Sequence, residues 1–136
     1  NDANCRSAVQ ALRGTLMGAE NPREYLASVP EAGQAWLTEF WAYVEQRCPV
    51  PLTMFRSVPM FKFADSYLKG YVMFTATKTH FVAHAIDFDL VAETREAIKG
   101  TAGGKGSVSV KYANTDAKPR LQQFVDDVLR RHGYLD

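Results

Sequence analysis

The sequence predicts an α+β fold, a single antiparallel β-sheet of about five strands with helices packed mainly on one face. Two patterns carry that expectation. Apolar residues recur at helical spacing in the first third of the chain and again in the last, whereas Thr53 to Ile86 is rich in aromatic and β-branched residues broken by turn signals. Helices first, strands in the middle and a helix at the end suit one sheet with its helices gathered on one side. At 136 residues the chain falls in the range of a single domain and can bury enough apolar surface to fold without staples.

Val9, Leu12, Leu16 and Met17 mark an amphipathic helix from near Cys5 to Gly18, where the glycine suits a stop. Residues 1–20 are therefore expected to form an extra N-terminal helix packed on the domain that residues 21–136 make. Asn21-Pro22-Arg23-Glu24 supplies a cap residue, proline at the first helical position and an acid three after the cap, opening a short helix through Leu26 that Pro30 ends. Ser28 and Glu31 repeat that signature ahead of the strongest periodic run, Trp36, Leu37, Phe40, Trp41, Val44 and Cys48, which should floor the core. Pro49-Val50-Pro51 stops this helix, because proline cannot donate to the ladder and pushes its predecessor out of the helical region.

Up to four strands of an antiparallel meander follow, with breaks at Ser57-Val58-Pro59, Asp65-Ser66 and Lys78-Thr79. Asp89 is placed to cap a helix through Ile98, with Leu90, Val91, Thr94 and Ile98 inward, and a glycine-rich turn leads to a further strand, Ser107 to Tyr112. Thr115 or Asp116 caps the last helix, whose Leu121, Phe124, Val125, Val128 and Leu129 face the core just before Gly133.

Sixteen Lys and Arg against fifteen Asp and Glu leave a net charge of +1, which supplies neither the basic stripe of a nucleic-acid binder nor a polybasic membrane cluster. The longest apolar run, around Tyr71 to Ala76, is far short of a bilayer span, and no signal-peptide core opens the chain. Cys5 and Cys48 make no CxxC pair, so reduced, buried thiols and a cytoplasmic location are the expectation.

His80 and His84 have the spacing of a helical metal pair, but the segment reads as a strand, and four strand residues span about 13 Å, too far for one ion. In that strand both histidines share a face with bulky apolar groups, which suits partly buried, hydrogen-bonded imidazoles or a ligand pocket lined by both. Gly100 to Gly106 resembles a phosphate loop, yet it is one residue short, lacks the magnesium-binding hydroxyl and runs into a strand instead of a helix. Asp87 and Asp89 read as a turn and a cap. No Ser/His/Asp order, nucleophile elbow or zinc signature is present.

Several short segments are similar to one family. Asn21-Pro22-Arg23-Glu24-Tyr25-Leu26-Ala27-Ser28-Val29-Pro30-Glu31 resembles the opening of the YdhG-like family, domain of unknown function 1801. Ser57-Val58-Pro59-Met60-Phe61 resembles its Y-G-x-P-x-F segment, Lys78-Thr79-His80 its K-x-H strand start, and Gly104-Lys105-Gly106-Ser107-Val108 its K-G-T-I strand. The resemblance spans about Asn21 to Gly133 and implies a frataxin-like α+β architecture. Some members of that family are described as intracellular iron chaperones for iron-sulfur cluster assembly, which would make iron the one cofactor implied. Here Leu52 stands near the position of an acid that often precedes the Y-G-x-P segment, Arg56 stands at its tyrosine, and Lys78 to His84 replaces K-H-I-G-L-Y-P, so oxygen ligands are fewer.

The residues themselves call for no cofactor. The expectation is a small non-enzymatic binding domain whose sheet face, with Pro59, Phe61, Tyr71, His80, His84 and Lys105, takes an unidentified small ligand or protein. Iron carriage is the alternative that the resemblance implies. A protein-interaction adaptor is a third, in which Val9, Leu12, Leu16 and Met17 dock on a partner or on a second copy, giving a homo-oligomer. Neither nucleic acid nor membrane is expected as a partner.

Overall fold

A computed structural model describes residues 19–136. The helix expected between Cys5 and Gly18 lies outside the described residues. In chain order the elements are α1 (Pro22–Ser28), α2 (Glu31–Glu45), β1 (Leu52–Phe55), β2 (Val58–Lys62), a 3₁₀ turn (Tyr67–Lys69), β3 (Tyr71–Ala76), β4 (His80–Ala85), α3 (Phe88–Ala97), β5 (Ser107–Lys111), a second 3₁₀ turn (Thr115–Ala117) and α4 (Lys118–Arg131). The five strands form one antiparallel meander in the order β1-β2-β3-β4-β5, so the fold is α+β with the helices on one sheet.

Alternation along each strand divides the sheet into two faces. On one, Phe61, Val72, Phe74, Phe81, Ala83, Ala85, Val108 and Val110 are fully buried and merge with the buried side chains of α2, α3 and α4 into a single core. Phe81 lies at its centre, with ring centroids 4.9 Å from both Trp36 and Phe40 and 5.6 Å from Phe74. Trp36, Leu37, Phe40, Trp41 and Val44 are all buried from α2, which is why its helical stripe was so clear in sequence. Cys48 is buried beyond the end of that helix, and burial pushes its thiol up from the usual range.

Local capping follows the sequence only in part. Asn21 caps α1 as expected, its side chain accepting from the Glu24 N–H at 2.9 Å. Ser28 does not cap α2; its hydroxyl donates back to the Tyr25 carbonyl at 2.6 Å and Pro30 occupies the cap position. At α3 the cap position is Asp87, two residues before the expected Asp89, and its carboxylate makes no cap bond. α4 starts at Lys118 from the Thr115–Ala117 turn with no side-chain cap, and Pro119 fills a first-turn position where no N–H is needed.

The β1–β2 hairpin turns on Arg56 and Ser57, between the paired residues Phe55 and Val58. Both central residues are left-handed, at φ 49° and 70°. A two-residue turn joining right-twisted strands demands that geometry, which asparagine and glycine adopt with little cost and arginine and serine do not.

Candidate functional site

The second face of the sheet carries no residue of the main core. Strand register lays Thr53, Met60, Met73, His84 and Ser107 in one row across all five strands, with Thr75, Val82 and Ser109 in a row beside it. Met60 and Val82 are buried, at 1% and 8% exposure, and Tyr71, Met73, Thr75 and His84 are half-buried. The result is an apolar floor with a few polar groups set into it.

His84 is the best defined of these groups. Its Nε2 lies 2.9 Å from the Thr75 hydroxyl, one strand over and one row along. Burial against the methionine row holds its pKa down at about 4, so the imidazole is neutral at pH 7. It can then donate from one nitrogen and accept at the other without a charge to desolvate. His80 sits at the start of β4, its Nδ1 2.6 Å from the Thr79 hydroxyl, opposite Lys111. Tyr71 opens β3 opposite Lys62, and burial, with Tyr67 and Asp87 nearby, pushes its phenol up.

The sheet separates the six residues singled out from the sequence. Tyr71, His80 and His84 share the second face, and His80 and His84 are spaced along one strand with Val82 between them. Pro59 and Phe61 alternate onto the other face, where Phe61 is fully buried in the core. Lys105 lies in the loop before β5 with its Nζ 4.9 Å from the centre of the Phe88 ring. Among the described residues no group of three or more His, Cys, Asp or Glu side chains converges as a metal site would require.

Sequence reasoning missed a second polar cluster. Asp87 is buried, its side chain only 6% exposed, and both carboxylate oxygens face His132 Nε2 at 3.2 and 3.3 Å. Arg131 reaches Asp87 at 3.4 Å and grips Asp89 with two bonds of 2.7 Å, which lowers the Asp89 carboxyl to about 2. His132 also packs on Phe63, ring centroids 4.8 Å apart, and beneath Gly70. No local pattern joins residues 87 and 132, so nothing in the sequence could have announced this pair.

A cleft of about 370 Å³ lies where α1 meets the β3–β4 turn, lined by Tyr25, Ser28, Val29, Pro30, Ala76, Thr77 and Lys78. Tyr25 accepts from the Ala76 N–H at 3.2 Å and Tyr112 donates to the Thr77 carbonyl, so tyrosines brace this turn on both sides. Among the described residues no helix is long and apolar enough to cross a membrane. No family model matches the chain, and no curated protein matches it either.

Proposed function

We propose that the protein is a small non-enzymatic binding domain that takes a ligand or a partner protein on the second face of its sheet. The observation that carries this reading is the row Met60–Met73–His84, in which a neutral imidazole stands beside one buried and one half-buried methionine. A binding surface needs an apolar floor for affinity and a few fixed polar groups for orientation, and His84, Thr75 and Tyr71 fill the second role. The apolar floor favours an uncharged or weakly polar group against it, since a charge buried there would lack a partner. The segment resemblances to the YdhG-like family support a domain of this general kind without naming its ligand.

The test is an NMR screen of uniformly labelled protein against metabolites and candidate partners, with His84→Gln and Met73→Ser as controls. A true ligand perturbs the amides of Met60, Met73, Thr75 and His84 together and loses affinity by about tenfold or more in His84→Gln. Shifts confined to other surfaces, or unchanged in both variants, would refute the reading. A titration with ferrous iron in the absence of oxygen separates it from iron carriage, for which stoichiometric binding would have to appear.

A further inference from the structure

The connection between β2 and β3, residues 63–70, has a fixed base and a self-contained tip. At the base the Phe63 N–H donates to the Gly70 carbonyl at 3.1 Å, and Gly70 is buried beneath the His132 ring. Phe63 packs on His132 and Tyr134, with ring centroids 4.8 and 5.3 Å away, and its carbonyl accepts from the Tyr134 hydroxyl at 3.3 Å. The tip is the 3₁₀ turn Tyr67–Lys69, whose hydrogen bonds close on the loop itself. Lys69 N–H donates to the Ser66 carbonyl, Gly70 N–H to the Tyr67 carbonyl, and Leu68 N–H to the Ser66 hydroxyl at 3.2 Å. The ion pair of Lys69 with Asp65 is likewise within the loop and exposed, and Leu68 is 66% exposed. The tip can therefore lift from its base without breaking any of these bonds.

The Tyr67 ring ties the tip to the sheet. Its centroid lies 4.7 Å from that of Phe55 on β1 and 6.4 Å from that of Tyr71 on β3. In the strand register Phe55 stands opposite Val58 and Tyr71 opposite Lys62, so the two rings flank β2 diagonally, with Met60 midway between them on the same face. A ring paired with both crosses β2 above Met60. That accounts for a methionine only 1% exposed on a face that carries none of the main core, where Thr53 beside it is exposed and Met73 half-buried. The place above Met60 thus already holds an aromatic ring, between two further rings and over a polarisable thioether.

We propose that Tyr67 is a lid residue on the sheet-face site, and that the ligand displacing it is a small, uncharged aromatic molecule. The inference rests on the sheet face being the binding surface, and adds to it the ligand class and the moving part. With the lid closed, the Met73, Thr75 and His84 part of the face is open. With the lid lifted, Met60 and the slot between Phe55 and Tyr71 join it. An aromatic ring entering that slot replaces the contacts that Tyr67 gives up, which shifts the loop toward its lifted state. A saturated ring of the same size fills the slot without the edge and face contacts of an aromatic one.

The experiment is an amide-shift titration of labelled protein with p-cresol, the tyrosine side chain as a free molecule, and with 4-methylcyclohexanol, its saturated counterpart. p-Cresol should saturate in about the millimolar range, as suits so few atoms, and move Tyr67 and Leu68 together with Met60, Met73 and His84. The saturated alcohol should bind about fivefold more weakly. Tyr67→Ala removes the competing ring and should bind p-cresol about tenfold more tightly, whereas Tyr67→Phe keeps the lid and should match the parent. Saturable shifts at Met60, Met73 and His84 with Tyr67 and Leu68 unmoved would overturn the lid and leave the sheet-face reading standing. Equal affinity in Tyr67→Ala and the parent, or binding to Tyr67→Ala alone, would likewise overturn it. The alcohol binding as tightly as p-cresol would overturn the aromatic class, and no saturable binding to either protein would overturn the whole inference.

Discussion

The Thr75 hydroxyl and the His84 imidazole share a 2.9 Å hydrogen bond on the sheet face away from the main core, while Met73 stands directly opposite His84 on the neighbouring strand. This diagonal pair satisfies a polar ring in apolar surroundings, and it ties stability to pH. The folded chain holds His84 neutral down to about pH 4, whereas an unfolded histidine takes up a proton near 6.5. Between those values the unfolded state binds more protons, so stability falls as pH is lowered through that window. The whole window is worth roughly 3 kcal/mol. Urea unfolding from pH 7 to pH 4 should show this loss in the parent protein and a shallower one in His84→Gln. Equal slopes in the two would show that His84 is not the group responsible.

The strained turn at Arg56 and Ser57 offers a gain in stability. Placing Asn at 56 and Gly at 57 supplies residues that accept positive φ at both positions. The double substitution should stabilise the protein by about 1–2 kcal/mol, read as a higher urea midpoint at unchanged slope. A lower midpoint would mean that the Arg56 guanidinium, 5.1 Å from the centre of the Phe55 ring, contributes more than the strain removes.

Gly33→Ala tests packing against helix propensity. In an exposed helix this change stabilises by about 1 kcal/mol. Here the new Cβ would come 2.8 Å from both the Ala76 Cβ and the Tyr112 hydroxyl, forcing α2 away from the β3 end that it covers. Net destabilisation of about 1–3 kcal/mol is expected in thermal or urea unfolding. A stabilised variant would show that the sheet edge yields at little cost.

Gly70 and His132 should behave as one unit. A side chain at Gly70 would overlap the His132 ring, whose Nδ1 would lie 2.8 Å from the added carbon. His132→Ala should cost about 2–4 kcal/mol, because it leaves the buried Asp87 carboxylate with only the 3.4 Å contact to Arg131. Gly70→Ala should cost a similar amount, and the double variant less than the sum, retaining mainly the strain of φ 130°. Strict additivity in the double-mutant cycle would rule out the contact as the cause.

The order and type of the described elements were legible in the sequence because each rests on local physics. The stripe from Trp36 to Val44 has helical period, Pro49 and Pro51 bar its continuation, and the strands alternate between punctuating turns. Misreadings arose where one short polar residue could serve two partners. The sequence reads Asp87 as a turn residue, whereas its carboxylate goes to His132, and Ser28 turns back to Tyr25 instead of forward to α2. The turn at Arg56 and Ser57 lies one residue before the break that the sequence signals at Ser57-Val58-Pro59, because neither Arg56 nor Ser57 signals positive φ.

The sequence by itself determined the α+β class, the strand-rich middle and the apolar faces of α2 and α4, since periodicity and proline placement act within a few residues. Only the tertiary structure decided that Phe61 belongs to the core while Tyr71, His80 and His84 share the opposite face, because that depends on the register linking four strands. It alone brought Asp87 to His132 and set Tyr67 between Phe55 and Tyr71. Contacts between distant segments are chosen by the packing of the whole core, and no local pattern encodes them.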